Sequence, residues 1–189
     1  VKLSDKTSSN QLDLNGLAVF NKETFANLSL LPSEVLINNE TWKVQEQVQF
    51  GFDQGKVTVD SFQLSREGQS VTVNGTISNN PSDHLVIGFN DFRLTTFNPV
   101  TDPLGINLGG QLNGEINLAA LGKAPHFDGN LKVDSLSYNK IAIGDLDMEA
   151  GFDNSTKLVE VAVNIRKQGL ETLNIKGNYN ANIDKQSLG

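Results

Sequence analysis

The sequence predicts an all-β fold, built as an antiparallel meander of hairpins with little helix. Three observations predict it. β-Branched and aromatic residues alternate with Asn, Asp, Ser, Thr and Lys at a period of two rather than 3.6. Turn-forming clusters separate the alternating runs. Glycine recurs inside several of the runs, where it weakens a strand unless the backbone must bend or approach something closely.

Taken in order, the first weak signals are helical, over Glu23 to Leu28. Val57 and Val59 then alternate, and the phase slips to Phe62 and Leu64, as a β-bulge would make it. Val71, Val73 and Ile77 keep one phase, as do Leu85, Ile87 and Phe89. A second weak helical stretch covers Thr95 to Asn98. Strands follow at Leu112, Ile116 and Leu118, at Leu131 and Val133, and at Ile141 and Ile143, with Leu146 and Met148 in the other phase. Val159, Val161, Val163 and Ile165 give the clearest alternation, and Leu173 and Ile175 the last. Turns are expected at Asn38-Asn39, Asp53-Gln54-Gly55, Glu67-Gly68, Asn79-Asn80-Pro81, Asp102-Pro103, Asp153-Asn154-Ser155 and Gln168-Gly169.

The chain also repeats itself. Gly51-Phe52-Asp53 returns as Gly151-Phe152-Asp153, each followed by a strand, a turn ending in Gly68 or Gly169, and a strand containing Gly75 or Gly177. Residues 51–80 and 151–180 are therefore candidate sub-repeats within a single repeat-built domain over residues 1–189. Asn74-Gly75-Thr76-Ile77 is echoed at Asn113-Gly114-Glu115-Ile116, Asp128-Gly129-Asn130-Leu131 and Lys176-Gly177-Asn178-Tyr179, and Val59-Asp60-Ser61-Phe62 at Val133-Asp134-Ser135-Leu136. The same pattern at successive strands suggests a sheet that curves the same way each time.

Composition removes several function classes. Fifteen basic against 22 acidic residues leave a net charge of -7, without the basic stripe of a nucleic-acid binder. The absence of cysteine removes disulfide frameworks, thiolate zinc sites and thiol nucleophiles. No nucleophile elbow, phosphate loop or dinucleotide fingerprint occurs, so no catalytic residue, metal or cofactor is expected and the chain does not read as an enzyme. His84 and His126 stand far apart without a motif. Asp145, Asp147 and Glu149 alternate on one side of a strand, but Ala150 stands where a calcium loop needs glycine, so they read as a wet face. Trp42 reads as packing at a hairpin base, and the aromatic residues do not cluster along the chain. Asn-x-Ser/Thr sequons at Asn27, Asn39, Asn74 and Asn154 are what chance supplies in a chain this rich in those residues.

No apolar run approaches the ~18–20 residues of a membrane helix. The chain starts Val1-Lys2-Leu3 without Met and stops at Leu188-Gly189, and it reads as an internal piece of something longer. An amphipathic sheet can pack as a sandwich, close into a barrel, or curl into an open trough. A trough lining would suit lipid. A lipid with two acyl chains holds roughly 30 methylenes, and exposing them to water costs on the order of 20 kcal/mol. Composition fits sandwich and trough about equally.

Asn90-Asp91-Phe92-Arg93-Leu94-Thr95-Thr96-Phe97-Asn98-Pro99 resembles a phrase repeated in TamB-like envelope proteins of the wider AsmA-like group. So do Leu112-Asn113-Gly114-Glu115-Ile116-Asn117-Leu118 and Gly122-Lys123-Ala124-Pro125-His126-Phe127-Asp128-Gly129-Asn130-Leu131. The stretch from Leu31-Pro32-Ser33-Glu34-Val35 to Asn39-Glu40-Thr41-Trp42 is similar to versions from Bacteroidetes-type bacteria. The resemblance implies a curled trough with an apolar interior, a β-taco. It also implies a periplasmic location, an inner-membrane anchor helix outside this piece, and movement of phospholipid between the two membranes. An outer-membrane BamA-like partner is a further implication.

On that reading Val57, Val59, Val71, Val73, Ile77, Leu85, Ile87, Leu112, Ile116, Leu118, Leu131, Val133, Ile141, Ile143, Val159, Val161, Val163, Ile165, Leu173 and Ile175 line the groove and meet phospholipid acyl chains. The alternatives are a scaffold for outer-membrane protein assembly and a structural or adhesive β-sandwich. Raw sheet edges are expected to drive self-association.

Overall fold

The computed structural model describes residues 2–4, 9–20, 26–120, 126–153 and 158–180. In chain order these form β1 (Lys2–Ser4), β2 (Gln11–Asp13), β3 (Gly16–Val19), β4 (Ala26–Leu30), β5 (Ser33–Ile37), β6 (Glu40–Val44), β7 (Val48–Asp53), β8 (Lys56–Arg66), β9 (Gln69–Ile77) and β10 (His84–Arg93). A helical segment follows, a 3-10 turn at Leu94–Phe97, the one-turn helix α1 (Asn98–Thr101) and a second 3-10 turn at Asp102–Leu104. The chain then runs through β11 (Leu108–Ala119), β12 (His126–Tyr138), β13 (Ile141–Asp153), β14 (Leu158–Lys167) and β15 (Leu170–Asn180).

All fifteen strands belong to one open antiparallel sheet, with end strands β1, β3 and β15. From β8 to β15 it is the expected meander, each strand paired with the next. The first fifty residues depart from that pattern. β8 is long enough to carry two neighbours on one edge, β7 along Lys56–Asp60 and β6 at Lys43↔Ser65. The sheet forks there, one branch running β7-β4-β3 and the other β6-β5-β2-β1.

Two-residue turns with both residues at positive φ close the hairpins at Asn38-Asn39, Gln54-Gly55, Glu67-Gly68, Asn139-Lys140 and Gln168-Gly169, matching the right-handed strand twist. The Asn139-Lys140 turn carries no glycine and is not among those the sequence announces. The tip beyond Asp153 lies outside the described residues. Thr95 to Asn98 falls in the helical segment, where Pro99 occupies the first turn of α1 and Gly105, at φ 75°, ends the run. The other expected helix is corrected. Ala26–Leu28 lies in β4, where Ala26 pairs with Phe52 and Leu28 with Phe50, and residues 23–25 lie outside the described set. A weak local preference lost to a five-residue ladder that also buries Leu30.

Three bulges bend the meander at alternate strands. Each has one residue in the left-handed region, Ser61, Asp91 and Ser135, at φ 58°, 49° and 54°. Each register shift coincides with it, between Val59 and Phe62, Phe89 and Phe92, and Val133 and Leu136. The freed N–H groups donate to a side chain of the next strand: Ser61 to Asn74 Oδ1 (3.2 Å), Asp91 to Asn113 Oδ1 (2.8 Å) and Ser135 to Asp145 Oδ1 (2.9 Å). Beside each acceptor sits a glycine at positive φ, Gly75, Gly114 or Gly144. A Cβ on Gly114 would stand 2.1 Å from the Asn130 carbonyl oxygen, so only glycine permits that approach. Bulges increase local twist and bend the strand, and three in step curl the sheet.

The curl produces two cores. Trp42 of β6 packs against Phe92, Leu94, Leu112 and Val133, so the β6 branch folds over β10 to β12. Leu30, Val44, Val48 and Val59 form the second, beside the fork.

Candidate functional site

Strand register carries apolar side chains across the sheet in unbroken rows on one face. One row runs Phe62, Val73, Ile87, Ile116, Gly129, Ala150, Val161 and Gly177. The next runs Leu64, Val71, Phe89, Gly114, Leu131, Met148, Val163 and Ile175. A third links Phe92, Leu112, Val133, Leu146, Ile165 and Leu173, and a fourth links Phe50, Val59, Gly75, Leu85, Leu118 and Phe127. The opposite face shows the contrast, with a row of Gln63, Thr72, Gly88, Glu115, Asn130, Glu149, Ala162 and Lys176.

The apolar rows and their continuations Val57, Ile77 and Val159 hold all the groove residues named from sequence except Ile141 and Ile143. Ile141 pairs with Tyr138 at the hairpin end and is 64% exposed. Ile143 has no cross-strand partner on β12, because the register shifts between Leu136 and Ser137. That shift explains why Leu146 and Met148 follow in the other phase.

Enclosure of this face is uneven. Val59, Ile77, Leu112, Val133 and Val159 are buried. Val57, Val71, Val73, Leu85, Ile87, Ile116, Leu118, Leu131, Val161, Val163 and Ile165 are half-buried. Leu173 and Ile175 on β15 are exposed. The Trp42 core reaches β12 and Leu146 of β13 but, among the described residues, takes in nothing from β14 or β15.

An open apolar hollow lies at the other end, between the β6 branch and β8 to β10. It is a cleft of about 840 Å³. Phe62, Leu64, Val71, Phe89 and Phe92 form one wall, and Val35, Ile37 and Trp42 the other. Leu3 and Leu12 extend the second wall, and Phe97, Pro99 and Val100 of the helical segment also line the cleft. Asn38 Nδ2 donates to Thr95 O at 3.3 Å and ties the β5-β6 turn to that segment. Among the described residues, the polar lining comes from Asn10, Gln11 and Thr96. Trp42 is fully buried, yet its indole N–H finds no hydrogen-bond acceptor among the described residues.

Of the groove residues named from sequence, only Val71 lines this cleft. The aromatic residues, scattered along the chain, are brought together here: Phe92 has ring centroids 5.5 Å from Trp42, 5.9 Å from Phe89 and 5.1 Å from Phe97. Trp42 packs at its own hairpin as expected, opposite Val35, and also against Phe92, Leu112 and Val133 of the far limb of the sheet. The signal in the sequence was the Phe89 to Phe97 stretch, three Phe within nine residues across a bulge; the partner Trp42 lies far upstream and needs the curl.

His84 is exposed and lies outside the cleft. Asp145 is the bulge acceptor, and Asp147 contacts Arg166 and lies 3.8 Å from Lys132. Among the described residues no three His, Cys, Asp or Glu side chains gather to hold a metal, and no helix is long and apolar enough to cross a membrane.

No protein-family model, no curated protein and no solved structure matches the chain, so the likeness to TamB-like proteins rests on the short sequence phrases themselves.

Proposed function

We propose that the chain is a section of a periplasmic lipid conduit, in which phospholipid acyl chains rest on the apolar face while their headgroups stay in water. The observation that carries this reading is the continuity of the rows. Along these rows hydrocarbon can pass from strand to strand without meeting a charged side chain, and at β15 Leu173 and Ile175 are exposed. Each methylene withdrawn from water contributes about 0.8 kcal/mol, so a half-enclosed chain is held firmly enough to stay and loosely enough to move. The mechanism is passive, and any driving force comes from elsewhere in the envelope. The TamB-like resemblance supplies the compartment, the anchor and the outer-membrane BamA-like partner, and these stand with it.

A photo-crosslinking residue at Val161, half-buried on the open stretch, tests the reading in cells. Phospholipid adducts support the conduit. Adducts to outer-membrane polypeptides instead would favour a protein-assembly scaffold, and the absence of both would favour a structural or adhesive module.

A further inference from the structure

We infer that the β6 branch, β6-β5-β2-β1, is a hinged jaw of the cleft. It swings as one body about a crease through residues 14–15, 31–32 and 45–47, while the sheet from β8 to β15 stays folded. The motion is a property of the fold and stands apart from what the cleft takes.

The crease is written in the register. β2 leads into β3 through Leu14 and Asn15, β4 into β5 through Leu31 and Pro32, and β6 into β7 through residues 45–47. The same stretches of chain lie side by side on both sides of these breaks. β2 pairs with β5 at Gln11↔Leu36, and β3 with β4 at Gly16↔Leu30. β5 pairs with β6 at Ser33↔Val44, and β4 with β7 at Leu30↔Val48. Three neighbouring stretches are therefore cut at one level, and their upper parts turn off the sheet together. Pro32 brings no N–H to the ladder there. The crease is a defined pivot, since Leu31 N–H donates to Asn15 O (2.8 Å), Asn15 N–H to Ser33 Oγ (3.0 Å) and Ser33 Oγ to Leu31 O (2.7 Å). Hinges of this kind are a few residues at element ends that absorb the change in backbone dihedrals.

Beyond the crease the branch is held at scattered points. These are the pair Lys43↔Ser65, the Arg66–Glu40 ion pair at 3.3 Å, the Asn38 Nδ2 to Thr95 O bond at 3.3 Å, and Trp42 against Phe92, Leu112 and Val133. Val44 packs with Leu30, Val48 and Val59 beside the pivot, where displacement is least. The cleft of about 840 Å³ stands between the branch and β8 to β10. By contrast, eleven residue pairs join β11 to β12. A part of a sheet with few ladder bonds to the rest opens as a unit below the free energy of global unfolding.

Native-state hydrogen exchange on the whole chain, read by mass spectrometry, tests the jaw. Amides of residues 33–44 are expected to exchange together, at least about tenfold faster than the slowest of residues 69–93. Gly68→Ala strains only the β8-β9 turn, at φ 83°. It should speed exchange at residues 69–93 roughly five- to thirtyfold and leave residues 33–44 unchanged. Asn38→Cys with Thr95→Cys, joined by a short bis-maleimide in a chain that has no cysteine of its own, should slow residues 33–44 by about tenfold or more. Exchange of residues 33–44 at the rate of 69–93, with both accelerated alike by Gly68→Ala, overturns the jaw, and so does a cross-link that leaves residues 33–44 unaltered.

Discussion

Gly114→Ala tests the curl on which both the face and the cleft depend. Gly114 sits beside the middle bulge at φ 120°, and an added methyl carbon would lie 2.1 Å from Asn130 O and 3.0 Å from the carbonyl carbon behind it. Ordinary C···O approaches are no closer than about 3.3 Å, so β11 and β12 must part by more than about an ångström. Two terms add. Holding an L-residue in this backbone region costs roughly 1–3 kcal/mol. Separating the strands loosens about two ladder hydrogen bonds at roughly 1 kcal/mol each. The expected loss is about 3–5 kcal/mol, a large part of the ~5–15 kcal/mol that stabilises an ordinary domain. Gly68→Ala is the control. It also has positive φ, 83°, but nothing lies within 4 Å of its added Cβ, so only backbone strain of about 1–2 kcal/mol remains. Urea unfolding followed by Trp42 emission reads both variants. With a slope of about 1–3 kcal/mol per molar, their midpoints should differ by roughly 0.3 M at the least and about 1 M at mid-range values. Two midpoints within about 0.2 M of each other would refute the claim that close glycine approaches beside the bulges set the curvature.

Four further outcomes are expected. Trp42→Ala should lose about 3–5 kcal/mol in urea unfolding followed by circular dichroism, as large aromatic truncations in a core do, because it empties the contact between the β6 branch and β10 to β12. Asn113→Ala should cost only about 1 kcal/mol, since the Asp91 N–H it releases is exposed and can turn to water. Asp147→Asn should move stability by less than about 1 kcal/mol, because its partners Arg166 and Lys132 are half or more exposed, and thermal unfolding checks it. Asn174→Cys, in a chain with no cysteine, should form disulfide dimers under mild oxidation through the exposed β15 edge, and adding Ile175→Lys should abolish them; monomers throughout would show that this edge does not self-associate.

What the sequence made legible followed from short-range rules. Period-two alternation located the strands from β8 onward, because one face of each is apolar and the other wet. The slip between Val59 and Phe62 located the first bulge. The echoes marked more than was claimed for them: the two Val-Asp-Ser-apolar stretches are bulges, and Asn74-Gly75 and Asn113-Gly114 each supply a bulge acceptor followed by its glycine. What stayed hidden required contacts distant in sequence. The fork at β8 arises because two separate strands, β6 and β7, compete for one long edge, and nothing local announces that. The strand at Ala26–Leu30 depends on β7 in the same way. The cleft was missed because its aromatic residues gather only after the sheet has bent far enough to bring Trp42 to Phe92. Alternation identifies which side chains share a face, but it carries no account of how tightly that face is enclosed.

Enclosure is what separates the two ends of the trough, and it bears on how a passive conduit would behave. On the proposed reading, a chain lying on the exposed Leu173 and Ile175 of β15 has protein on one side and water on the other, and gains only part of the ~0.8 kcal/mol available per methylene. The same chain in the cleft meets apolar side chains of two walls and gains a larger part of that amount. A difference of about 0.3 kcal/mol per methylene over ten methylenes is roughly 3 kcal/mol, on the order of a hundredfold in occupancy. Hydrocarbon left to equilibrate would therefore collect at the β6-branch end and stop there. Net movement past this section needs something that lifts the branch or removes the cargo. The joint available for such a motion is narrow, since β6 meets β8 at the single pair Lys43↔Ser65, supported by the Arg66–Glu40 ion pair at 3.3 Å. Strand pairing elsewhere in the meander runs over six or more residue pairs. The shortest strand pairing of the sheet thus lies beside the cleft, and lifting the branch would also break the Trp42 contact with β10 to β12.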